Sequence, residues 1–355
     1  MASISQVPGL FGLQNSNRDF SEVDSWGKNK FNSSFPAALC CFIAKKGLKA
    51  NYLQYSGGAF GIKEIAIADL FGTDPLEGTT FFSFETSFSK YDQYALGNNP
   101  RTDLVISTKG AEPKQTAALE VKLTAIPDQT THHLEDSEYG AELVVRPDTI
   151  FYLAAGLAHD NNKLIKKHFA DKPIHLADWT DPAEALSRFG DIHSALSDFL
   201  NETSLIQHPN IIQPIWKTVG KSPQLSENCL DVFAWSTSGF LHFMLAISYS
   251  EGGARISRPM RAVIWTYSML LDIALDGKTN FQGTIDRLSY NTKNDKAFSA
   301  AGAVTKNFMR HANLTMPRVK KSDVCEIILG GGQNLLSPER RFDAIIVNSP
   351  ELFDS

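Results

Sequence analysis

Two short apolar runs in the first third of the chain constrain its fold more than any other feature. They are "TDLVIS" (102–107) and "AALEVKL" (117–123), separated by a polar loop containing Lys109-Gly110 and Glu112-Pro113. Each alternates with period two and so reads as a strand, and the short loop makes the pair an antiparallel hairpin. Successive side chains of a strand point to opposite faces. Leu119, Val121 and Leu123 therefore share one face, and Glu120 and Lys122 share the other. On the first strand Leu104 and Ile106 form the apolar set, leaving Asp103 opposite with Val105. Paired, the strands bring Asp103, Glu120 and Lys122 to one point.

Those three residue types in that order suit metal-assisted phosphodiester hydrolysis. Two carboxylates can hold Mg²⁺, a hard cation that prefers oxygen ligands and keeps several waters. Such an ion neutralises charge developing on the phosphate and lowers the pKa of a bound water. A lysine two residues from the glutamate can align or deprotonate that water. Taken alone, an acid, sixteen intervening residues and then Glu-x-Lys also describes two solvated charges on a half-exposed strand. The strongly apolar alternation and the closeness of the two runs favour the chemical reading. Glu85, in "FFSFETSF" (81–88), is a further candidate metal ligand from an upstream strand.

The remaining elements place this hairpin in an α/β (α+β) chain, with a mixed sheet flanked by helices and additional helical regions. A helix is expected at about 34–46, and strands at 81–88 and 141–146. "PDTIFYLAAGLAHD" (147–160) reads as a helix with Pro147 at its start. "DPAEALSRFGDIHSALSDFL" (181–200) reads as a single helix capped by Asp181. Residues 229–250 and 258–275 read as buried helices, and 324–331 and 342–348 as strands. No linker divides the 355 residues, so one domain is expected, with a catalytic core at about 80–200.

Composition narrows the class. No run of eighteen apolar residues occurs, which argues against a membrane span, and "MASISQVPGLFGLQ" lacks the marks of a secretory leader. Four cysteines without a CxxC spacing read as thiols of a cytoplasmic protein, not as a zinc site or disulfide frame. The net charge of −5 does not argue against a nucleic-acid substrate. Phosphate is bound by local basic patches, and a carboxylate-rich site makes the total more negative.

The Asp103…Glu120-x-Lys122 pattern resembles the signature of the PD-(D/E)xK nucleases, with Thr102 where that signature has proline. Longer stretches resemble the HindVP-like type II restriction endonucleases: "NSNRDF…WGKNKFNSSFPAAL" (15–39), "LGNNPRTDLV" (96–105), "EVKLTAIPDQTT" (120–131), "ELVVRPDTIFYLA" (142–154) and "LSPERRFDAII" (336–346). They span almost the whole chain. The resemblance implies a PD-(D/E)xK fold, Mg²⁺-dependent cutting of double-stranded DNA at a short palindrome, and a homodimer. It also implies a cognate DNA methyltransferase as genetic partner and makes a GRCGYC-type site the first to test. Only Asp103, Glu120 and Lys122 carry over from the catalytic signature.

The other polar residues of these stretches have two readings each. Thr124 and Asp128 could orient Lys122 or a metal-bound water, or simply cap the turn after Pro127. Asp148 opens a helix, where an acid is favoured on its own account. Lys28, Asn29, Lys30 and Asn32 precede a helix and suit phosphate binding. Arg340 and Arg341 could read guanine, hold phosphate, or pair with Glu339 or Asp343. The terminal segments are thus expected to contact DNA. His132 and His133 are adjacent, point apart, and read as loop residues. With the resemblance, the leading expectation is a type II restriction endonuclease. Its alternatives are a repair or recombination nuclease of the same fold and a non-cleaving DNA-binding protein.

Overall fold

The alternating runs at 102–107 and 117–123 pair as their period requires, and the rest of the sheet is built around them. The computed structural model describes residues 36–110, 114–122, 124–127, 142–203, 208–218, 225–249, 255–290, 297–301, 303–309, 319–320 and 322–323. Helix α1 covers 36–45. A hairpin follows, β1 (Ala50–Ser56) and β2 (Ala59–Ile65), then α2 (Ile67–Phe71). Next come β3 (Thr80–Thr86), β4 (Thr102–Thr108), β5 (Lys114–Val121), β6 (Thr124–Pro127) and β7 (Glu142–Val145). Helices α3 (Pro147–Asp160), α4 (Asn162–Ile165), α5 (Pro182–Ser187) and α6 (Phe189–Glu202) lead to β8 (Pro209–Thr218) and β9 (Leu225–Ser236). Helices α7 (Thr237–Tyr249) and α8 (Arg258–Asp276) complete the main body.

Among the described residues the main sheet runs in the order β2-β1-β9-β8-β5-β4-β3, with β6 added beside β8. It is mixed: β1 with β9, and β5 and β6 with β8, are parallel, while the other neighbours on that path are antiparallel. One face packs on α3, α6, α7 and α8, and receives Val105, Ile211 and Trp235 from the strands. The other face packs on α1 and α2, and receives Leu104, Ile106, Leu119 and Val121. Burial of such a side chain contributes roughly 1.5–3 kcal/mol relative to exposure. No described helix is long and apolar enough to cross a membrane.

Two expectations need correction. Residues 229–250 are not one helix, because β9 runs to Ser236 and only then does α7 begin. Val232 and Ala234 enter one core while Phe233 and Trp235 enter the other. A strand buried on both faces reads as a continuous apolar run, which periodicity does not separate from a buried helix. The hydroxyl of Ser236 accepts from the Gly239 amide at 2.9 Å and so starts the helix. Gly239 is required there, since a Cβ would come within 2.7 Å of the Leu53 carbonyl. Residues 181–200 likewise form two helices, broken at Arg188, although Asp181 caps the first through the Ala183 amide. The strands expected at 324–331 and 342–348 lie outside the described residues.

Candidate active site

The site forms where β4 and β5 part. Pairing extends from Thr108↔Lys114, through a bulge at Ser107/Ile106, to Leu104↔Leu119 and stops there, while Glu120 and Val121 pair with Ile211 and Ile212 of β8. Side chains take over the ladder groups at the parting. The Thr102 hydroxyl donates to the Leu119 carbonyl at 2.8 Å, and the Val121 amide donates to Asp103 Oδ2 at 2.8 Å. Asp103 thus faces Glu120 without a backbone ladder between them.

Lys122 is 8% exposed, and its ammonium donates to Glu120 Oε1 at 2.5 Å. Its own amide donates to the Ile212 carbonyl at 2.9 Å, which fixes the backbone from which the side chain projects. Glu85 falls opposite Asp103, between the pairs Phe84↔Leu104 and Thr86↔Thr102. Its backbone has φ 50, a left-handed conformation that costs a non-glycine residue about 1–3 kcal/mol. The structure therefore brings Glu85, Asp103, Glu120 and Lys122 together on three neighbouring strands.

The electrostatics follow from that crowding. Burial pushes the Asp103 carboxyl up to about 7, and the adjacent Glu120 carboxylate adds to the rise. The Val121 amide and Lys122 oppose it, while Glu85 reinforces it. Asp148 is also raised, by burial first and by Glu120 second, with Arg146 and Lys122 acting against. An acid expected only to open α3 therefore lies within the field of Glu120 and Lys122. Tyr152, one turn further along α3, is raised by burial and feels both Glu120 and Asp148.

Thr124 sits where β6 begins, but its hydroxyl turns away from Lys122. It donates to the Glu142 carbonyl at 2.8 Å and accepts from Gln213 Nε2 at 2.6 Å. Sequence reasoning overlooked Gln213, Tyr152 and the reach of Asp148. Only the i, i+4 spacing of Asp148 and Tyr152, which puts them on one helix face, could have drawn attention to the last two. Asp128, Lys28, Asn29, Lys30, Asn32, His132, His133, Arg340 and Arg341 lie outside the described residues.

Among the described residues no group of three or more His, Cys, Asp or Glu is arranged to hold a metal ion. Asp103 and Glu120 nevertheless suit Mg²⁺, which typically takes one or two carboxylates and completes its shell with water. Each spends one oxygen within the protein, on the Val121 amide or on Lys122. Their mutual repulsion, visible in the raised Asp103 pKa, is what a divalent cation would relieve.

A mixed sheet flanked by helices, with two carboxylates and a buried lysine at the parting of adjacent strands, defines a restriction-endonuclease-like nuclease. Comparison with known proteins agrees. The profile of the HindVP restriction endonuclease family matches residues 26–353, and the chain belongs to that family. It is 45% identical to "Probable type II restriction enzyme HindVP" of Haemophilus influenzae (strain ATCC 51907 / DSM 11121 / KW20 / Rd) over 352 residues, 98% of this chain and 95% of that protein. It is 41% identical to "Type II restriction enzyme HgiDI" of Herpetosiphon aurantiacus over 360 residues, 98% of this chain and 97% of that protein. No solved structure matches.

Proposed function

We propose that this type II restriction endonuclease cuts both strands of double-stranded DNA at a short palindrome, with Asp103, Glu120 and Lys122 as its catalytic residues. The observation carrying this is the meeting of Asp103 with the Glu120–Lys122 pair at the end of β5, inside a chain of the HindVP family. Asp103 and Glu120 would hold Mg²⁺, with Glu85 close enough to contribute. When bound, the ion would supply an activated water and charge neutralisation at the scissile phosphate. Lys122, held by Glu120 and by burial, aligns the attacking water and donates to a phosphate oxygen.

A palindrome calls for two copies of the site related by a twofold axis, so the working form is a homodimer. The terminal segments, with Lys28, Asn29, Lys30, Asn32, Arg340 and Arg341, supply phosphate and base contacts. The enzyme acts in the cytoplasm beside a DNA methyltransferase that protects the same sequence. Digestion of an unmethylated phage genome with Mg²⁺, followed by sequencing of the fragment ends, tests this reading. Discrete fragments sharing a palindromic end with 5′-phosphates are expected, with GRCGYC-type sites tried first. A smear without common ends would instead indicate a structure-directed repair nuclease. Binding without cutting would indicate a non-cleaving DNA-binding protein.

A further inference from the structure

The geometry points to Tyr152 as a positioning residue of the nuclease: its hydroxyl clamps the end of β3 to the start of β4, and so sets the separation of the carboxylates that flank the parted strands. This rests on the reading of Asp103 and Glu120 as the cation's ligands. Tyr152 is 6% exposed, and its ring packs against Tyr91 and Phe151. A buried phenol needs partners, and this one has two. It donates to the Pro100 carbonyl at 2.7 Å and accepts from the Phe88 amide at 3.1 Å.

Both partners stand three residues from an acid of the site. Pro100 precedes Asp103 on the way into β4, and Phe88 follows Glu85 on the way out of β3. The connection is tied from within as well. Asn99 Nδ2 donates to the Phe88 carbonyl at 3.2 Å and to Asp92 Oδ1 at 2.6 Å, while the Ser87 hydroxyl donates to the Asn99 carbonyl at 3.1 Å. Tyr152 fastens this knot to α3, and the first turn of α3 presents Asp148 toward Glu120. The helix therefore spans from the acid on β5 to the entry of the strand carrying Asp103. Two of the stretches that carry the family resemblance, "LGNNPRTDLV" and "ELVVRPDTIFYLA", meet at this one hydroxyl–carbonyl bond.

Positioning of this kind matters because the carboxylates repel one another, and the β4–β5 ladder that could oppose their separation has ended at Leu104↔Leu119. Without the hydroxyl, the entry of β4 loses this attachment to the helix, leaving the Thr102–Leu119 and Val121–Asp103 hydrogen bonds to hold Asp103 beside Glu120 against that repulsion. A ligand displaced by a fraction of an ångström weakens cation binding and misaligns the attacking water.

The test is Tyr152→Phe, which keeps the ring and removes the two hydrogen bonds. Single-turnover cleavage of cognate duplex should fall about tenfold to a hundredfold at fixed Mg²⁺. The loss should be largely recovered at high Mg²⁺, and DNA affinity measured in saturating Ca²⁺ should be unchanged. Calorimetric titration of the protein–DNA complex with Ca²⁺ should show the same weakening without any chemistry. Tyr94→Phe serves as a control, because it removes a buried hydroxyl at the far end of α3, where Tyr94 meets His159. It should leave cation affinity unchanged. If Tyr152→Phe does not fold, Asn99→Ala loosens the same knot and must show the weakened cation titration. Unaltered rate and cation titration in the folded variant overturn the proposal. Asp103→Asn and Glu120→Gln run alongside separate the two readings: normal cleavage by them removes the site itself, whereas their inactivity beside a normal Tyr152→Phe removes only the clamp.

Discussion

Lys122 and Glu120 form a 2.5 Å ion pair at the end of β5, with side chains only 8% and 14% exposed. A buried pair is costly to break from one side, because the abandoned charge keeps its desolvation penalty. The two partners differ here, since Lys122 also stands in the field of Asp103 and Asp148. Glu120→Gln should leave the lysine two other acidic neighbours and so cost less than the roughly 3–5 kcal/mol of an unshared buried pair. Lys122→Ala leaves Asp103, Glu120 and Asp148 without their shared cation and should cost about 3 kcal/mol. Both should cut cognate DNA at least about 100-fold more slowly while still binding it. Chemical denaturation beside single-turnover cleavage checks the contrast. Equal stability losses would show that Lys122 has no carboxylate partner beyond Glu120.

Asp103 gives a pH dependence whose sign is fixed by its environment. Burial and Glu120 raise its pKa from 3.8 to about 7 in the metal-free protein, so the folded state takes up a proton in a range where the unfolded chain does not. Its stabilising contribution is therefore complete below about 4 and is lost as pH rises through 7. Asp103→Asn removes the loss and should stabilise the metal-free protein at pH 8 by about 1–2 kcal/mol. Mg²⁺ competes with that proton, so the rise in Tm on adding Mg²⁺ should be larger at pH 8 than at pH 6. Thermal melts with and without the ion at both pH values test this. A Mg²⁺ effect independent of pH would contradict the assignment of Asp103.

A second titrating group, at the far end of α3, acts in the opposite direction. His208 Nε2 lies 3.3 Å from the Lys90 ammonium and 3.5 Å from Asp160 Oδ1. Burial, then Lys90, lowers its pKa from 6.5 to about 4, so the folded protein resists a proton that the unfolded chain accepts. The contribution is present above 6.5 and is lost as pH falls through 4. Asp160, raised by burial, partly offsets this loss. His208→Asn should flatten the fall in Tm between pH 6.5 and 4.5 and leave Tm near pH 8 little changed. An unchanged acid limb would show that other groups dominate it.

The β4–β5 hairpin was legible because its rule is local: period two fixes which side chains share a face, and Leu104, Ile106, Leu119 and Val121 fill one core as expected, opposite Asp103 and Glu120. Helix α3 was legible from Pro147 and its apolar spacing, to the residue. What escaped depends on distant partners. Strand β8 contains Pro209 and Pro214, and proline inside a run argues against a central strand. Yet Pro214 falls between the stretch paired with β5, ending at Ile212, and the stretch paired with β6, beginning at Ile215. Among the described residues, neither β5 nor β6 pairs with Pro214. The same holds for Asp148, whose place beside Glu120 depends on where α3 docks, and for Tyr152, whose partners lie 52 and 64 residues away.

Gln213 adjoins Pro214 on β8, and its hydrogen bonds permit only one orientation of its amide. Nε2 donates to the Thr124 hydroxyl at 2.6 Å and to the Glu142 carbonyl at 3.1 Å, while Oε1 accepts from Trp235 Nε1 at 3.2 Å. The Thr124 proton is already given to the Glu142 carbonyl, so Nε2 faces two acceptors and Oε1 a donor. Gln213 is fully buried. Gln213→Leu fills a similar volume but orphans the indole N–H, and should cost about 2–3 kcal/mol. Gln213→Glu keeps the acceptor for Trp235 but turns oxygen against oxygen at Thr124 and Glu142, and buries a charge. It should be the worse of the two at pH 8 and improve as pH falls, because protonation restores a donor. Thr124→Val removes one donor and one acceptor together and should be milder, about 1 kcal/mol. Because Gln213 lies on β8 one residue beyond Ile212, whose carbonyl holds the Lys122 amide, each variant should slow cleavage roughly in order of its stability loss. Denaturant titration of the three proteins at pH 6 and pH 8 tests the ranking. A Gln213→Glu variant more stable at pH 8 than at pH 6 would refute the amide orientation on which the argument depends.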